Sequence, residues 1–233
     1  MTEHRGITGL ARLSGLLVSE HDPIGIITAG IVEACASVGA DAGGVLVGGG
    51  TDFEVLAATS HRLADLEAYQ AGATEGPCVE AVREHRSVSF ADVDEATTRW
   101  PGFARPLVAA GYTCGHAVPM TWDGTALGGL NLFWKEPAPQ PVDQVLLQAF
   151  ADILTLATVQ VRPLSTPETT SRLQEVLATR STVEQAKGVL AWQRSLEIAD
   201  AYHALLTIAD EQGLTLSEAA RAVLRHARSG EQL

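Results

Sequence analysis

The sequence is short of several features that would each point to a particular class of protein. It has three cysteines in 233 residues (Cys35, Cys78 and Cys114), none in CxxC spacing. An odd, scattered set excludes a disulfide framework and a cysteine-rich metal site. With no signal-like segment at the amino terminus, these residues read as reduced thiols in a cytoplasm. Apolar runs are broken by Asp, Glu or Gly before about 18 residues, so no membrane span is expected. The seven histidines form no HxH or HxxxH pair, and no metal-ligand set stands out. There is no GxxxxGK[ST] phosphate loop, and the short glycine runs at 43–44 and 48–50 suit a hairpin better. Basic residues are also scarce, 16 against 28 acidic ones, for a net charge of -12. That balance excludes a general nucleic-acid-binding surface.

What is present divides the chain in two. Residues 1–162 hold 9 Lys and Arg against 19 Asp and Glu, whereas residues 163–233 hold 7 against 9. The acidic excess belongs to the front, and cations in the tail can form a local basic patch. Two prolines within the stretch 162–167, Pro163 and Pro167, end one helical pattern and precede another. The expected organisation is a domain over 1–162, a linker at 163–167 and a second domain over 168–233.

The front segment alternates between periods. Helical patterns at 6–20 and 23–38 lead into strands at 42–47 and 53–58, joined by a turn over 49–52. Short helices follow at 62–70 and 77–85, then an edge-like strand at 87–91 and a helix over 100–110. Strands at 114–120 and 126–134 surround Trp122-Asp123-Gly124, and a long amphipathic helix closes the segment at 142–161. This pattern predicts an α+β domain with an antiparallel sheet flanked by helices. Trp100, Trp122 and Trp134 are assigned to its core or to a pocket wall.

The tail is helical throughout. A long helix over 167–195 carries Leu173, Val176, Leu177, Val183 and Leu190 at spacings of three and four or their sums. A second, 197–211, ends at Gly213, and a third begins at Thr215 or Ser217 with Glu218 in its first turn. Such a bundle has little core of its own, which favours pairing with a second copy. In the long helix Arg180, Lys187 and Arg194 recur every seven residues, nearly two turns, on one narrow stripe. A charged stripe is most often a solvated face. Gly188 beside it costs about 1 kcal/mol relative to alanine in a helix, which suggests a close approach there. Trp192 can stack on a base or seal a dimer.

The residues Arg180, Val183, the run Glu184 to Leu190, Ala201, Tyr202, Leu205, Ala209, Leu216 and Ala220 resemble an ANTAR domain. The front resembles a GAF domain, through residues 39–41, 57–59, Gln70, residues 75–78, Asp92, residues 99–101 and the strand 127–132. The ANTAR resemblance implies a dimer that binds paired RNA hairpins with exposed loops and regulates transcription antitermination. RNA loops are read through unstacked bases by a few placed donors. Arg180, Gln185, Lys187 and Arg194 supply them, with Arg221 and Arg225 (and Arg228) as a second cationic stripe. The chain departs from the family pattern at Leu206, where Arg is common, and at Gly213-Leu214-Thr215, where Asn and a basic pair are common.

The GAF resemblance implies a sensor for a small molecule or protein, with Gln70, Cys78, Trp100 and Cys114 as a tentative ligand pocket. No cofactor is expected. The function expected is a cytoplasmic, homodimeric antitermination regulator that is not an enzyme. The alternatives are a dimerising interaction protein without RNA binding, and a thiol enzyme using Cys78 or Cys114. A helix amino terminus can lower the pKa of Cys78, but its motif contains no histidine, and a buried, inert thiol is the commoner case. His116 shares a predicted strand with Cys114.

Overall fold

The computed structural model describes residues 2–19, 22–49, 52–138, 142–159 and 166–229. The chain forms two compact units, Met1–Pro163 and Leu164–Leu233. The turn expected at 49–52 and the linker expected at 163–167 fall partly outside the described residues.

The first unit begins with α1 (Thr2–Ser19) and α2 (Pro23–Val38). The Asp22 side chain accepts a hydrogen bond from Ile24 N at 3.2 Å, and Pro23 stands where a helix has no use for its N–H. Strands β1 (Ala42–Gly49) and β2 (Asp52–Ala58) pair antiparallel. Then come α3 (His61–Ala73), capped by Ser60, α4 (Pro77–Glu84) and the three-residue β3 (Val88–Phe90). Helices α5 (Val93–Arg99) and α6 (Pro101–Ala110) precede β4 (Cys114–Trp122), β5 (Thr125–Trp134) and α7 (Gln144–Val159).

Helix α5 is absent from the sequence reading. It buries only Ala96, so it has no apolar period to detect. Its cap was the available signal: Asp92 Oδ1 accepts from Glu95 N, and Glu95 Oε2 accepts from Ala91 N, both at 2.8 Å.

The five strands form one antiparallel sheet in the order β2-β1-β5-β4-β3, an α+β architecture. Its pleat sorts side chains between two cores. On β4 and β5, Cys114, Val118, Met120, Leu130, Leu132 and Trp134 join the core under α1, α2 and α7. Ala117 and Phe133 join the opposite core, with Leu63, Leu66, Cys78, Trp100 and Phe103. Trp122 lies in neither core. It is 48% exposed at the end of the β4–β5 hairpin, because Asp123 and Gly124 turn the chain there with positive φ.

The second unit contains α8 (Thr166–Arg194), α9 (Ile198–Glu211) and α10 (Leu216–Ser229). Its core cluster consists of Ala186, Leu190, Ala201, Leu205, Ile208, Ala209, Ala219, Ala220 and Val223, with Val183 half-buried at the edge. The side chains of Leu173, Val176 and Leu177 lie outside those described. Thr215 and Glu218 form a reciprocal cap at α10: Thr215 N donates to Glu218 Oε2 at 2.9 Å, and Glu218 N donates to Thr215 Oγ1 at 3.3 Å. Among the described residues no helix is long and apolar enough to cross a membrane.

Candidate functional site

On α8 the cationic stripe is interrupted. Arg180, Gln185 and Arg194 are exposed. Lys187 is not a free donor. Its side chain is 15% exposed, and Nζ donates to both carboxylate oxygens of Glu184, at 3.0 and 2.9 Å. The ammonium also lies 5.8 Å from the centroid of the Tyr202 ring on α9. Lys187 follows the fully buried Ala186, so its stem runs along the core edge where α9 covers it. Glu184, one helical turn earlier, supplies the counter-charge.

Gly188 and Ala186 separate by side. Ala186 packs inside, whereas a methyl group on Gly188 would meet no atom within 4 Å. The close approach inferred at Gly188 is therefore not made by α9 or α10. Trp192, one turn further along, is 83% exposed. On α10, Arg221, Arg225 and Arg228 are exposed, and Arg221 stands near the Glu218 carboxyl. Among the described residues, Arg180, Arg194, Arg225 and Arg228 form no ion pair. Leu206 is exposed on α9 together with Ile198 and Tyr202, four residues apart in turn, an apolar strip outside the core.

In the first unit, the four residues of the expected pocket do not come together. Gln70 and Cys78 do: the Cys78 N–H donates to Gln70 Oε1 at 2.8 Å. Two residues missed by the sequence reading complete this cluster. Glu67 Oε2 accepts from Gln70 Nε2 at 2.9 Å and from Asn131 Nδ2 at 3.0 Å. Glu67, Gln70, Cys78 and Asn131 are all fully buried. Gly44 makes room for the carboxyl, since a Cβ there would lie 3.0 Å from Glu67 Oε1. The signal for Glu67 was an acid beside Leu66 on the apolar face of α3; for Asn131 it was an amide inside the apolar run of β5.

Burial pushes the Glu67 carboxyl up to about 8, against the two amide hydrogen bonds that favour its charged form. Glu67 Oε1 and Asn131 Oδ1 have no hydrogen-bond partner among the described residues. A protonated carboxyl carries a donor that an ionised one lacks, which suits this dry surrounding. The Cys78 thiol is pushed well up, first by burial and then by the neighbouring Glu67. It is held as a thiol, the reverse of an activated nucleophile, and His85 at the far end of α4 is exposed.

Trp100 belongs to a separate network on the same sheet face. Its Nε1–H donates to Glu80 Oε2 at 3.0 Å, and Arg99 bridges Glu80 and Glu95 at 2.7 and 2.8 Å. The Arg99 guanidinium lies 4.3 Å from the centroid of the Trp100 ring. Cys114 is on the other sheet face, where its thiol donates to Glu136 O at 3.4 Å. The sheet lies between it and Cys78, which sits on α4 in the opposite core. All three cysteines are free and buried, and burial also raises the Cys35 thiol to about 12. Among the described residues no cluster of His, Cys, Asp or Glu could hold a metal.

Comparison with known proteins agrees with this division. The GAF domain family model matches residues 21–158, and the ANTAR domain model matches residues 171–224. No curated protein matches the sequence. Among solved structures, the nlh2 GAF domain of A. aeolicus in an inactive state superposes with a TM-score of 0.52 at 11% identity, covering 68% of this chain and 98% of that one. A phycoerythrobilin-bound GAF domain of a cyanobacterial phytochrome gives 0.50 at 18% identity, with 68% and 97% coverage. Free methionine-R-sulfoxide reductase of Neisseria meningitidis gives 0.50 at 15% identity, with 66% and 87% coverage. At such identities the likeness is one of fold. The chain belongs to the GAF domain family over residues 21–158 and carries an ANTAR domain at 171–224, the pairing of a sensory domain with an antitermination-type regulatory domain.

Proposed function

We propose that this protein is a cytoplasmic, homodimeric regulator whose ANTAR domain, within 168–233, binds RNA hairpins under the control of its GAF domain, within 1–162. The carrying observation is that the ANTAR match coincides with exposed, unpaired cations on α8 and α10, in the less acidic part of the chain. Arg180, Gln185 and Arg194 meet the RNA from α8, and Arg221, Arg225 and Arg228 meet it from α10. Lys187 acts behind them, holding Glu184 away from the phosphates. A ligand or partner of the GAF domain shifts the population toward the dimer geometry that presents two bundles to paired loops. Cys78 and Cys114 serve as packing thiols in this reading, and no reaction is assigned to them.

Binding of a two-hairpin RNA, measured by fluorescence anisotropy across a salt series, tests the reading. The Arg180→Ala/Arg194→Ala double variant should weaken binding at least tenfold and flatten the log–log salt slope by about 1–2, as lost phosphate contacts do. Absence of binding by the parent at low salt, or an unchanged slope in the variant, would sink it. A second reading, a dimerising module without RNA, is favoured by the strip of Ile198, Tyr202 and Leu206 where the family commonly places a cation. Sedimentation of a Leu206→Arg variant separates the two. Dissociation to monomer supports the dimer module, and stronger RNA binding by an intact dimer supports the first reading.

A further inference from the structure

Opposite its core side, α8 presents a stripe without charge. Ser181, Gln185, Gly188, Trp192 and Ser195 follow one another at spacings of three and four, and all five are exposed. That spacing puts them on the side of the helix facing away from Ala186 and Leu190, which are fully buried. Trp192 dominates the stripe, with 83% of its surface open to solvent.

One turn before it, Gly188 leaves open space. A methyl group built there meets no side chain from another turn within 4 Å, the Trp192 indole included. The result is a slot about one turn long, with an aromatic ring at one end and helix backbone as its floor. Gln185 stands at the other end, nearly two turns from Trp192. Among the described residues its amide makes one hydrogen bond, a long one of 3.5 Å from Nε2 to Ser181 Oγ. That leaves its carbonyl oxygen and an N–H for an occupant.

We propose that this slot receives an unstacked base of an RNA loop, stacked on Trp192 over Gly188 and hydrogen-bonded at its edge by Gln185. The inference rests on the RNA-binding reading above and names the residue that holds a base. A base has a flat face and a polar edge, which one indole and one amide match. A second copy of the helix fits less well. Helix interfaces repeat apolar residues every three or four positions, and Trp192 is the one apolar side chain among these five. The cations are within reach of the same strand. Arg180 and Arg194 lie on another flank of α8, roughly 120–160° round the axis at about 3.6 residues per turn. A loop strand crossing the outer side of a helix about 10 Å wide meets both, its phosphates on the arginines and its base in the slot. Glu184, between the two stripes, is paired with Lys187. Stacking accepts any base, so Trp192 supplies affinity and Gln185 supplies selectivity.

The probes are a two-hairpin RNA and a fully paired RNA duplex of equal length, bound to the full-length protein and followed by fluorescence anisotropy across a salt series. Trp192→Ala should weaken hairpin binding about tenfold or more, the loss of one aromatic–base stack. Its log–log salt slope should stay unchanged, because stacking releases no counterions. That separates it from the Arg180→Ala/Arg194→Ala variant, which flattens the slope. Trp192→Phe should keep most of the affinity, and Gly188→Leu, which fills the slot, should weaken binding as Trp192→Ala does. The duplex offers no unstacked base and should bind the parent and Trp192→Ala alike. If the parent binds neither RNA at low salt, the RNA-binding reading fails and this proposal with it. If the parent binds and Trp192→Ala binds hairpins equally well, or loses duplex binding to the same degree, the proposal alone fails. It fails too if Trp192→Ala sediments as a monomer where the parent is a dimer, which would make the stripe an interface between copies.

Discussion

The two units bury opposite kinds of side chain. The GAF unit has Phe103, Phe133 and Phe150 fully buried and also takes Glu67, Gln70, His116 and Asn131 inside. The ANTAR unit buries no charged or polar side chain among its described residues, and five of the nine residues in its core cluster are alanine. Small residues let three helices approach closely but remove little apolar surface from water per residue. The polar groups of the ANTAR unit are outside, where a polyanion can reach them. The GAF unit instead keeps unmet hydrogen-bonding atoms inside. This contrast separates a unit whose described polar groups face outward from one that encloses several of them.

The sharpest way to break the contrast is Leu190→Ala. Removing the largest type of side chain in a small core should destabilise the ANTAR unit by about 2–5 kcal/mol, a large part of what such a bundle has. Calorimetry should show that transition fall while the GAF transition stays in place. A single transition that falls as a whole would show the units to be one cooperative body.

Glu67→Gln probes the polar interior. Glu67 keeps its proton in the folded chain up to about pH 8, whereas the ordinary carboxyl value is 4.5. The unfolded chain therefore binds fewer protons between those values, and stability falls as pH rises from about 4.5 to about 8, then levels off. The Gln variant mimics the neutral acid and should remove that slope. It should gain on the order of a few kcal/mol over the parent at pH 9 in urea unfolding. An unchanged slope would place the titrating group elsewhere.

A smaller effect comes from Gly188→Ala. With open space around it, the alanine should stabilise the ANTAR unit by about 0.5–1 kcal/mol. If RNA or a second copy comes close at Gly188, the same variant weakens binding while it raises the melting temperature. Lys187→Met should matter least for folding, within about 1 kcal/mol, because a half-exposed ion pair contributes little. RNA affinity should fall in that variant, because Glu184 is no longer held by Lys187, and unchanged affinity would remove the role given to Lys187.

Much of the fold was legible before any coordinates. Strong periodicity exposed α2, α3, α9 and both hairpins, and the Asp123-Gly124 turn and the Thr215/Glu218 cap could be placed from residue type. Helix α5 escaped because seven residues with one buried alanine carry no period. The candidate site was legible as composition and not as geometry. Lys187 matched Arg180 in charge and spacing, but only packing against Tyr202 showed that it is occupied. The grouping of Gln70, Cys78, Trp100 and Cys114 failed because motif membership says nothing of which sheet face a residue takes.

By itself, the sequence determined the alternation of elements, the two-part charge balance and the two family signatures, since each is written in local residue type and spacing. Only the tertiary structure decided which polar groups meet. It buried Glu67 against Asn131, 64 residues away in the chain, set Cys114 and Cys78 on opposite faces, and left His116 Nε2 and Trp134 Nε1 buried without a partner among the described residues. Burial and pairing depend on strand register and helix packing, and those are properties of the whole fold.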